Sequence, residues 1–178
     1  MSKPLSRRRF YIVDADYLLV YLGVPGFDRA GSDGAPIFHG DTVEKIDALK
    51  SGGETLVLPT SVIVEAGNHI SNAKHQIRQH ANAFATVIRE ALNSEKPWAA
   101  YDDTPGLDTK PFLDKLAREW AEEAEHGVSI GDMAVRHVAS HYESLGSPVT
   151  ILTGDERLAA YSSSAPEVAP PRRRKRRS

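Results

Sequence analysis

Acidic side chains follow two apolar segments that have the composition of buried strands. Asp14 and Asp16 come directly after the run Phe10–Val13, and Asp155 follows residues 148–153. Carboxylates at strand ends can bind a divalent cation, transfer a proton or attack phosphorus. The chain has no cysteine, so thiolate metal sites, cysteine proteases and dithiol redox chemistry are excluded. Any chemistry must come from oxygen and imidazole groups.

Two further acidic residues lie in the first turns of predicted helices. Glu65 follows a second predicted strand at 55–58, and Asp132 opens a helix that precedes the strand at 148–153. Ser129, three residues before Asp132, gives the spacing of a capping box. An aspartate at this position is favoured by capping and by the helix dipole. Asp132 alone is therefore explained equally well as a helix cap and as a functional residue.

The elements that must position these acids alternate between strands and helices. Short β-branched or aromatic runs predict strands, and segments with helical spacing predict the helices between them. Residues 23–40 hold five glycines and two prolines, which predicts an irregular loop or lid. The alternation predicts an α/β fold around a parallel sheet of about four or five strands, with strands at 10–13, 55–58, 98–101 and 148–153.

The carboxyl ends of parallel strands lie at one edge of a sheet, where open α/β proteins bind their ligands. We therefore expect four acids from distant segments to meet there: Asp14, Glu65, Asp132 and Asp155. Such a cluster repels itself, and Mg²⁺ or Mn²⁺ are the ions that prefer oxygen ligands. Two such ions can activate water and stabilise the leaving oxygen in phosphodiester hydrolysis.

Charge is distributed unevenly along the 178 residues, a length typical of one domain. Ten of the 22 basic residues lie within residues 1–9 and 172–177, whereas all 24 acidic residues lie between these ends. Residues 10–171 therefore have 12 basic against 24 acidic residues, a net charge of about −12. This distribution fits a protein that concentrates carboxylates for metal ions and contacts a polyanion with local basic segments.

Four segments in order resemble the acidic motifs of PIN-domain nucleases. They are Tyr11-Ile12-Val13-Asp14-Ala15-Asp16-Tyr17-Leu18-Leu19, Leu58-Pro59-Thr60-Ser61-Val62-Ile63-Val64-Glu65, Ser129-Ile130-Gly131-Asp132-Met133-Ala134 and Ile151-Leu152-Thr153-Gly154-Asp155. Each motif alone is weakly specific, but four in order are fairly specific. The resemblance covers most of residues 10–161.

The resemblance implies a PIN-like three-layer α/β/α fold and metal-dependent cleavage of single-stranded RNA. Asp14, Glu65, Asp132 and Asp155 would bind Mg²⁺ or Mn²⁺ and serve as the catalytic residues. Asp16 stands where the family usually has Asn, so a fifth metal ligand there is an open alternative. Thr153 matches a hydroxyl that orients a ligand or water. VapC-type toxins are similar small members, so an antitoxin partner and a homodimer are expectations of the resemblance.

Two basic ends flank the predicted domain, which covers residues 10–161. Residues 1–9 form the N-terminal basic segment, and 162–178 have the composition of a disordered tail. Within that tail, contact with RNA phosphates and docking on an acidic partner are equally supported for Arg172, Arg173, Arg174, Lys175, Arg176 and Arg177. No apolar run is long enough to span a membrane or to form a signal peptide, so we expect a cytoplasmic protein.

Two alternatives remain at this stage. The Asp14-Ala15-Asp16 segment also resembles the first motif of haloacid-dehalogenase-like phosphatases, in which the first Asp attacks phosphorus. That interpretation lacks a suitable lysine before Asp155 and leaves Glu65 and Asp132 unused. The second alternative is a non-catalytic PIN-like module that binds RNA or a protein partner.

Overall fold

Strands and helices alternate along the chain, and the computed structural model describes residues 9–93, 97–100 and 109–163. In chain order the elements are β1 (Phe10–Val13), α1 (Ala15–Tyr21), β2 (Arg29–Ala30), β3 (Ile37–Phe38), α2 (His39–Ser51), β4 (Thr55–Leu58), α3 (Thr60–Ser71), α4 (Ile77–Leu92), β5 (Trp98–Ala100), α5 (Thr109–Glu123), α6 (Ile130–Ser144), β6 (Val149–Leu152) and α7 (Glu156–Ala159).

A parallel sheet of four strands lies at the centre of the protein, in the spatial order β5-β4-β1-β6. Strand β1 pairs on one side with β4 and on the other with β6. Every residue of β4 is buried, which explains why the sequence there is continuously apolar apart from Thr55. Fully buried strands are typical of parallel sheets that helices cover on both faces.

The helices form the two outer layers of an α/β/α sandwich, so the predicted three-layer fold is confirmed. The chain leaves β1 toward β4 and β5 and later crosses back to β6 on the far side of β1. Right-handed crossovers that run in opposite directions place their helices on opposite faces. One continuous core joins the sheet to helices α1, α2, α3, α4 and α6.

The loop predicted at 23–40 is wrong in part, because this segment contains a small antiparallel hairpin. Arg29 pairs with Phe38 and Ala30 with Ile37. Each strand has only two residues, too few for an alternating pattern to show in the sequence. Helix α2 begins at His39, directly after the hairpin, and the Asp41 carboxylate accepts a 2.8 Å hydrogen bond from the Phe38 N–H there.

The long helical stretch after β4 is divided into α3 and α4. The first helix ends at Ser71 and the second begins at Ile77. Gln76, just before the second helix, adopts a left-handed conformation with φ of 56°. A non-glycine residue rarely adopts this conformation, and Gln76 has no sequence feature that predicts it. The break turns α4 back, so that its apolar face packs on β4 and β5.

Ser162 and Ser163, the first two residues of the predicted tail, form hydrogen bonds with the folded body. The Ser163 hydroxyl accepts a 2.9 Å hydrogen bond from the Val149 N–H, and the Ser162 hydroxyl accepts one of 2.9 Å from the Ile151 N–H. Strand β6 is at the edge of the sheet, and an edge strand has unpaired backbone groups that must be covered. The two serines therefore complete this edge.

Some predictions concern residues outside the described ranges. These are the basic N-terminal residues up to Arg8, the end of the predicted strand at Tyr101, and the arginine-rich segment 172–177. Among the helices of the described ranges, none combines the length and apolar character that a membrane crossing requires.

Candidate active site

The two strand-end aspartates lie on neighbouring strands. Asp14 directly follows β1, and two residues separate Asp155 from the end of β6. Val13 pairs with Leu152 in the register of the two strands. The Asp14 N–H donates a 3.0 Å hydrogen bond to the Leu152 carbonyl. After β1 the chain runs to β4 on one side of β1, and it later returns to β6 on the other side. The carboxyl ends of β1 and β6 therefore meet at the topological switch point of the sheet.

Both aspartates cap the helix that follows their strand. Asp14 Oδ1 accepts a 2.8 Å hydrogen bond from the Ala15 N–H. Asp155 Oδ1 accepts hydrogen bonds of 2.7 Å from the Arg157 N–H and 3.3 Å from the Leu158 N–H. Capping fixes the position of each carboxylate relative to the sheet. It uses one oxygen of each, and Asp155 remains exposed to solvent.

The buried hydroxyl of Thr153 links the two aspartates. It donates a 2.6 Å hydrogen bond to Asp14 Oδ2 and accepts one of 3.0 Å from the Asp155 N–H. A hydroxyl is a donor and an acceptor at once, so one side chain holds both strand ends. The prediction that Thr153 orients a site residue is consistent with these contacts.

Burial dominates the electrostatics of Asp14. Desolvation raises the pKa of this carboxyl to about 6, against the opposing effect of the hydrogen bonds from Thr153 and Ala15. The negative charges of Asp16 and Asp132 raise the pKa further. Ionisation of Asp14 is costly in this environment, and a nearby cation would stabilise the ionised form of its carboxyl group.

Glu65 and Asp132 reach the same region from two other helices. Burial raises the pKa of Glu65, as do the charges of Asp16 and Asp132, while His69 lowers it. Asp132 belongs to the predicted capping box, which is confirmed: its N–H donates to the Ser129 hydroxyl at 3.0 Å, and its Oδ2 accepts from the Ser129 N–H at 3.3 Å. Helices α3 and α6 pack together, so Glu65 lies beside the start of α6.

Gly131 makes this approach possible. A Cβ at residue 131 would lie 2.8 Å from Glu65 Oε2, closer than real Cβ contacts occur. Gly131 lies directly before Asp132 in the third acidic motif, and its neighbours in the sequence do not indicate this role. His69 lowers the pKa of Glu65, and its spacing of one helical turn from Glu65 is the sequence signal for that contact.

Asp16 lies in the first turn of α1 and is exposed. Its charge raises the pKa of both Asp14 and Glu65, so Asp16 acts on both carboxyl groups. Asp16 therefore belongs to the acidic cluster that comprises Asp14, Asp16, Glu65, Asp132 and Asp155.

The donor chemistry of the acidic cluster fits a hard divalent cation. Within the described ranges, no lysine, arginine or histidine forms an ion pair with any of the five carboxylates. In their present conformations, however, no three acidic or histidine side chains in those ranges stand close enough to form a metal-binding group. Asp14, Asp132 and Asp155 each direct one oxygen to a backbone N–H group.

The hairpin β2–β3 packs against the turn that carries Asp155. A Cβ at Gly154 would lie 2.1 Å from the Gly31 nitrogen and 2.8 Å from Ala30, so the two backbones touch. The Ser32 hydroxyl also donates a 3.2 Å hydrogen bond to Glu156. The glycine-rich segment thus forms one wall beside Asp155 rather than an independent loop.

The fold and site together define a three-layer α/β protein with an acidic cluster at the strand ends. A crystal structure of PAE2754 from Pyrobaculum aerophilum is similar to this chain, with a TM-score of 0.52 and 19% sequence identity over 90% of this chain and 86% of that one. A likeness at this identity shows the shared fold alone. No protein-family model and no curated protein matches the chain.

Proposed function

We propose that this protein is a metal-dependent endoribonuclease that hydrolyses phosphodiester bonds of single-stranded RNA, as PIN-domain nucleases do. The observation that carries the proposal is the Thr153 hydroxyl, which bridges Asp14 and Asp155 at the switch point. The charge of Asp132 also raises the pKa of both Asp14 and Glu65. These contacts support a common site for Asp14, Glu65, Asp132 and Asp155, whose order along the chain is that of the family's motifs.

Asp14, Glu65, Asp132 and Asp155 would hold Mg²⁺ or Mn²⁺, and exposed Asp16 could add a fifth oxygen donor. When bound, the metal supplies the activation of water and the neutralisation of charge that phosphodiester hydrolysis requires. Thr153 holds the Asp14 carboxylate in place, and the glycine at 131 leaves room for the Glu65 carboxylate. The cations are also expected to relieve the repulsion within the acidic cluster.

The finer parts of the proposal depend on the motif resemblance and on charge. Single-stranded RNA in the cytoplasm is the proposed substrate, and the basic segment 172–177 would contact its phosphates. Control by an antitoxin-like partner and assembly into a homodimer belong to the same proposal.

The test is a panel of substrates incubated with the full chain in Mn²⁺, in Mg²⁺ or in EDTA. The panel holds single-stranded RNA, single-stranded DNA and p-nitrophenyl phosphate. We expect cleavage of RNA with either metal and none in EDTA. Release of nitrophenol without RNA cleavage would contradict the proposal and favour the phosphatase alternative. RNA binding without hydrolysis of any substrate would favour the non-catalytic module.

A further inference from the structure

A cavity lies between α5, α6 and the segment after α7. Its volume is about 320 Å³, and its lining includes Glu119, Met133, Arg136, His137 and Tyr161. None of these residues takes part in the proposed hydrolysis. The cavity therefore raises the question of what it binds.

Two side chains of the cavity wall each hold one buried nitrogen that has no hydrogen-bond partner among the described residues. The His137 side chain is 6% exposed and its Nε2 lies 2.7 Å from Glu119 Oε2, whereas its Nδ1 has no hydrogen-bond partner. The Arg136 side chain is 12% exposed, and its Nε has none either. Buried polar atoms are normally paired, so the wall around Arg136 and His137 is incompletely hydrogen-bonded.

The charges of the wall do not favour a phosphate. Glu119, Glu122 and Glu123 outnumber the two cations, Lys115 and Arg136. Glu123 lies 3.9 Å from Arg136, and Glu119 lies 3.8 Å from Lys115. A ligand of this cavity must therefore offer both hydrogen-bond donors, for the carboxylates, and acceptors, for the cations.

Arg136 and Tyr161 form a flat surface beside these groups. The guanidinium carbon lies 4.1 Å from the centre of the Tyr161 ring. Stacked arginine and aromatic side chains are the surfaces on which proteins place the unstacked bases of single-stranded RNA. Tyr161 is 47% exposed, so a base can reach it from solvent.

The cavity adjoins the acidic cluster through two helices. Arg136 lies four residues after Asp132 on α6, on the same face and about 6 Å further along the axis. Tyr161 follows α7, which begins directly after Asp155. A nucleotide strand that reaches the acidic cluster can therefore place a neighbouring base in the cavity.

We propose that this cavity binds one guanine base of the substrate RNA, an inference that rests on the proposed function. Guanine alone among the four bases offers two adjacent N–H donors, which a carboxylate such as Glu119 can accept together. Its O6 and N7 acceptors match arginine or lysine. His137 and Lys115 hold the Glu119 carboxylate in position for this contact.

The experiment measures the binding of mononucleotides to the full chain in EDTA, where cleavage is absent. GMP, IMP, AMP, CMP and UMP are titrated by calorimetry. We expect GMP to bind at least tenfold more tightly than AMP, CMP and UMP. IMP, which lacks the second donor, should fall in between. Glu119→Gln should weaken GMP binding at least tenfold, whereas the exposed Asp114→Asn on the same helix should leave it unchanged.

Tyr161→Leu provides a second variant at an exposed position, in case Glu119→Gln fails to fold. It should weaken the binding of GMP and AMP alike, because it removes the stacking surface. Equal affinity for all five nucleotides, no saturable binding, or equal behaviour of Glu119→Gln and Asp114→Asn would overturn the inference. Asp14→Asn should still bind GMP, because Asp14 does not line the cavity. A failure to cleave RNA would therefore contradict the proposed function, and a failure to bind GMP would contradict the guanine site.

Discussion

Thr153 Oγ1 lies 2.6 Å from Asp14 Oδ2 and joins the ends of β1 and β6. The same oxygen accepts the Asp155 N–H, so the geometry of both aspartates depends on one hydroxyl. An ordinary strand threonine needs no such partners. This bridge is the feature on which the proposed site most depends.

Thr153→Val removes the bridge and preserves the shape of the side chain. Because the lost hydrogen bond lowers the pKa of Asp14, we expect that pKa to rise further above about 6. RNA cleavage should fall at least tenfold, and the free energy of unfolding by about 1 kcal/mol. Carboxyl-carbon NMR titration and cleavage rates measure the two effects.

Thr150→Val is the matched control, because Thr150 lies on β6 three residues before Thr153 and accepts only from Arg9 at 3.2 Å among the described contacts. Thr153→Ser should restore most of the activity. If both valine variants cut RNA equally well, the hydroxyl of Thr153 does not position the site.

Asp14→Asn should stabilise the metal-free fold at neutral pH. The folded protein holds the Asp14 proton more tightly than the unfolded chain, because burial raises the pKa from 3.8 to about 6. The stability that this proton contributes is present below about pH 4 and lost as the pH rises through about 6. Above that range the variant should gain up to about 3 kcal/mol.

Urea unfolding in EDTA at about pH 4.5 and about pH 7.5 measures this difference. We expect the stability advantage of Asp14→Asn to be larger at the higher pH. An advantage of the same size at both values would mean that ionisation of Asp14 carries no such penalty.

Gly131→Ala should lower activity without unfolding the protein. The new Cβ would meet the flexible end of Glu65 at 2.8 Å, so the carboxylate must move while the helices stay packed. Cleavage should fall at least tenfold, with a change in thermal midpoint of only a few degrees. Gly40→Ala is the control, because residue 40 is also the second residue of a helix and a Cβ there meets nothing within 4 Å. Equal activity of the two variants would exclude a role for Glu65 placement.

Gly154→Ala should separate the hairpin from the turn that carries Asp155. Its Cβ would meet the Gly31 backbone at 2.1 Å, and overpacking of this kind typically costs about 1–3 kcal/mol. Chemical denaturation should show this loss, and limited proteolysis should cut the hairpin sooner. Gly34→Ala lies in the same hairpin, where the nearest atom would be 3.9 Å away, and should behave as wild type. Equal stability of the two variants would contradict the contact.

The sequence predicts the main strands and the acids at their ends because buried parallel strands are continuous apolar runs. It also predicts the capping box of Ser129 and Asp132, since capping is local in the chain. The hairpin escapes prediction because its strands are two residues long and its contact with Gly154 spans more than 120 residues. The space that Gly131 leaves for Glu65 depends on how α3 meets α6, which local spacing does not specify.

The presence of four acids in order predicts a shared edge, but not the conformation of each carboxylate. Asp132 was equally well explained as a cap and as a functional residue, and the structure confirms that it caps α6. Its charge also raises the pKa of Asp14 and Glu65. The two interpretations are therefore compatible, because a capping carboxylate still contributes its charge to the cluster.

The most direct test of the central claim is the rate of RNA cleavage by Asp14→Asn in Mn²⁺, measured beside wild type and Asp114→Asn. Asp114 is exposed and pairs with Arg118 at 3.1 Å, so its variant makes the same chemical change away from the site. We expect wild type and Asp114→Asn to cut RNA equally, and Asp14→Asn to be at least 1,000-fold slower, on the order of 4 kcal/mol in activation free energy. Cleavage by Asp14→Asn at the wild-type rate would contradict the central claim.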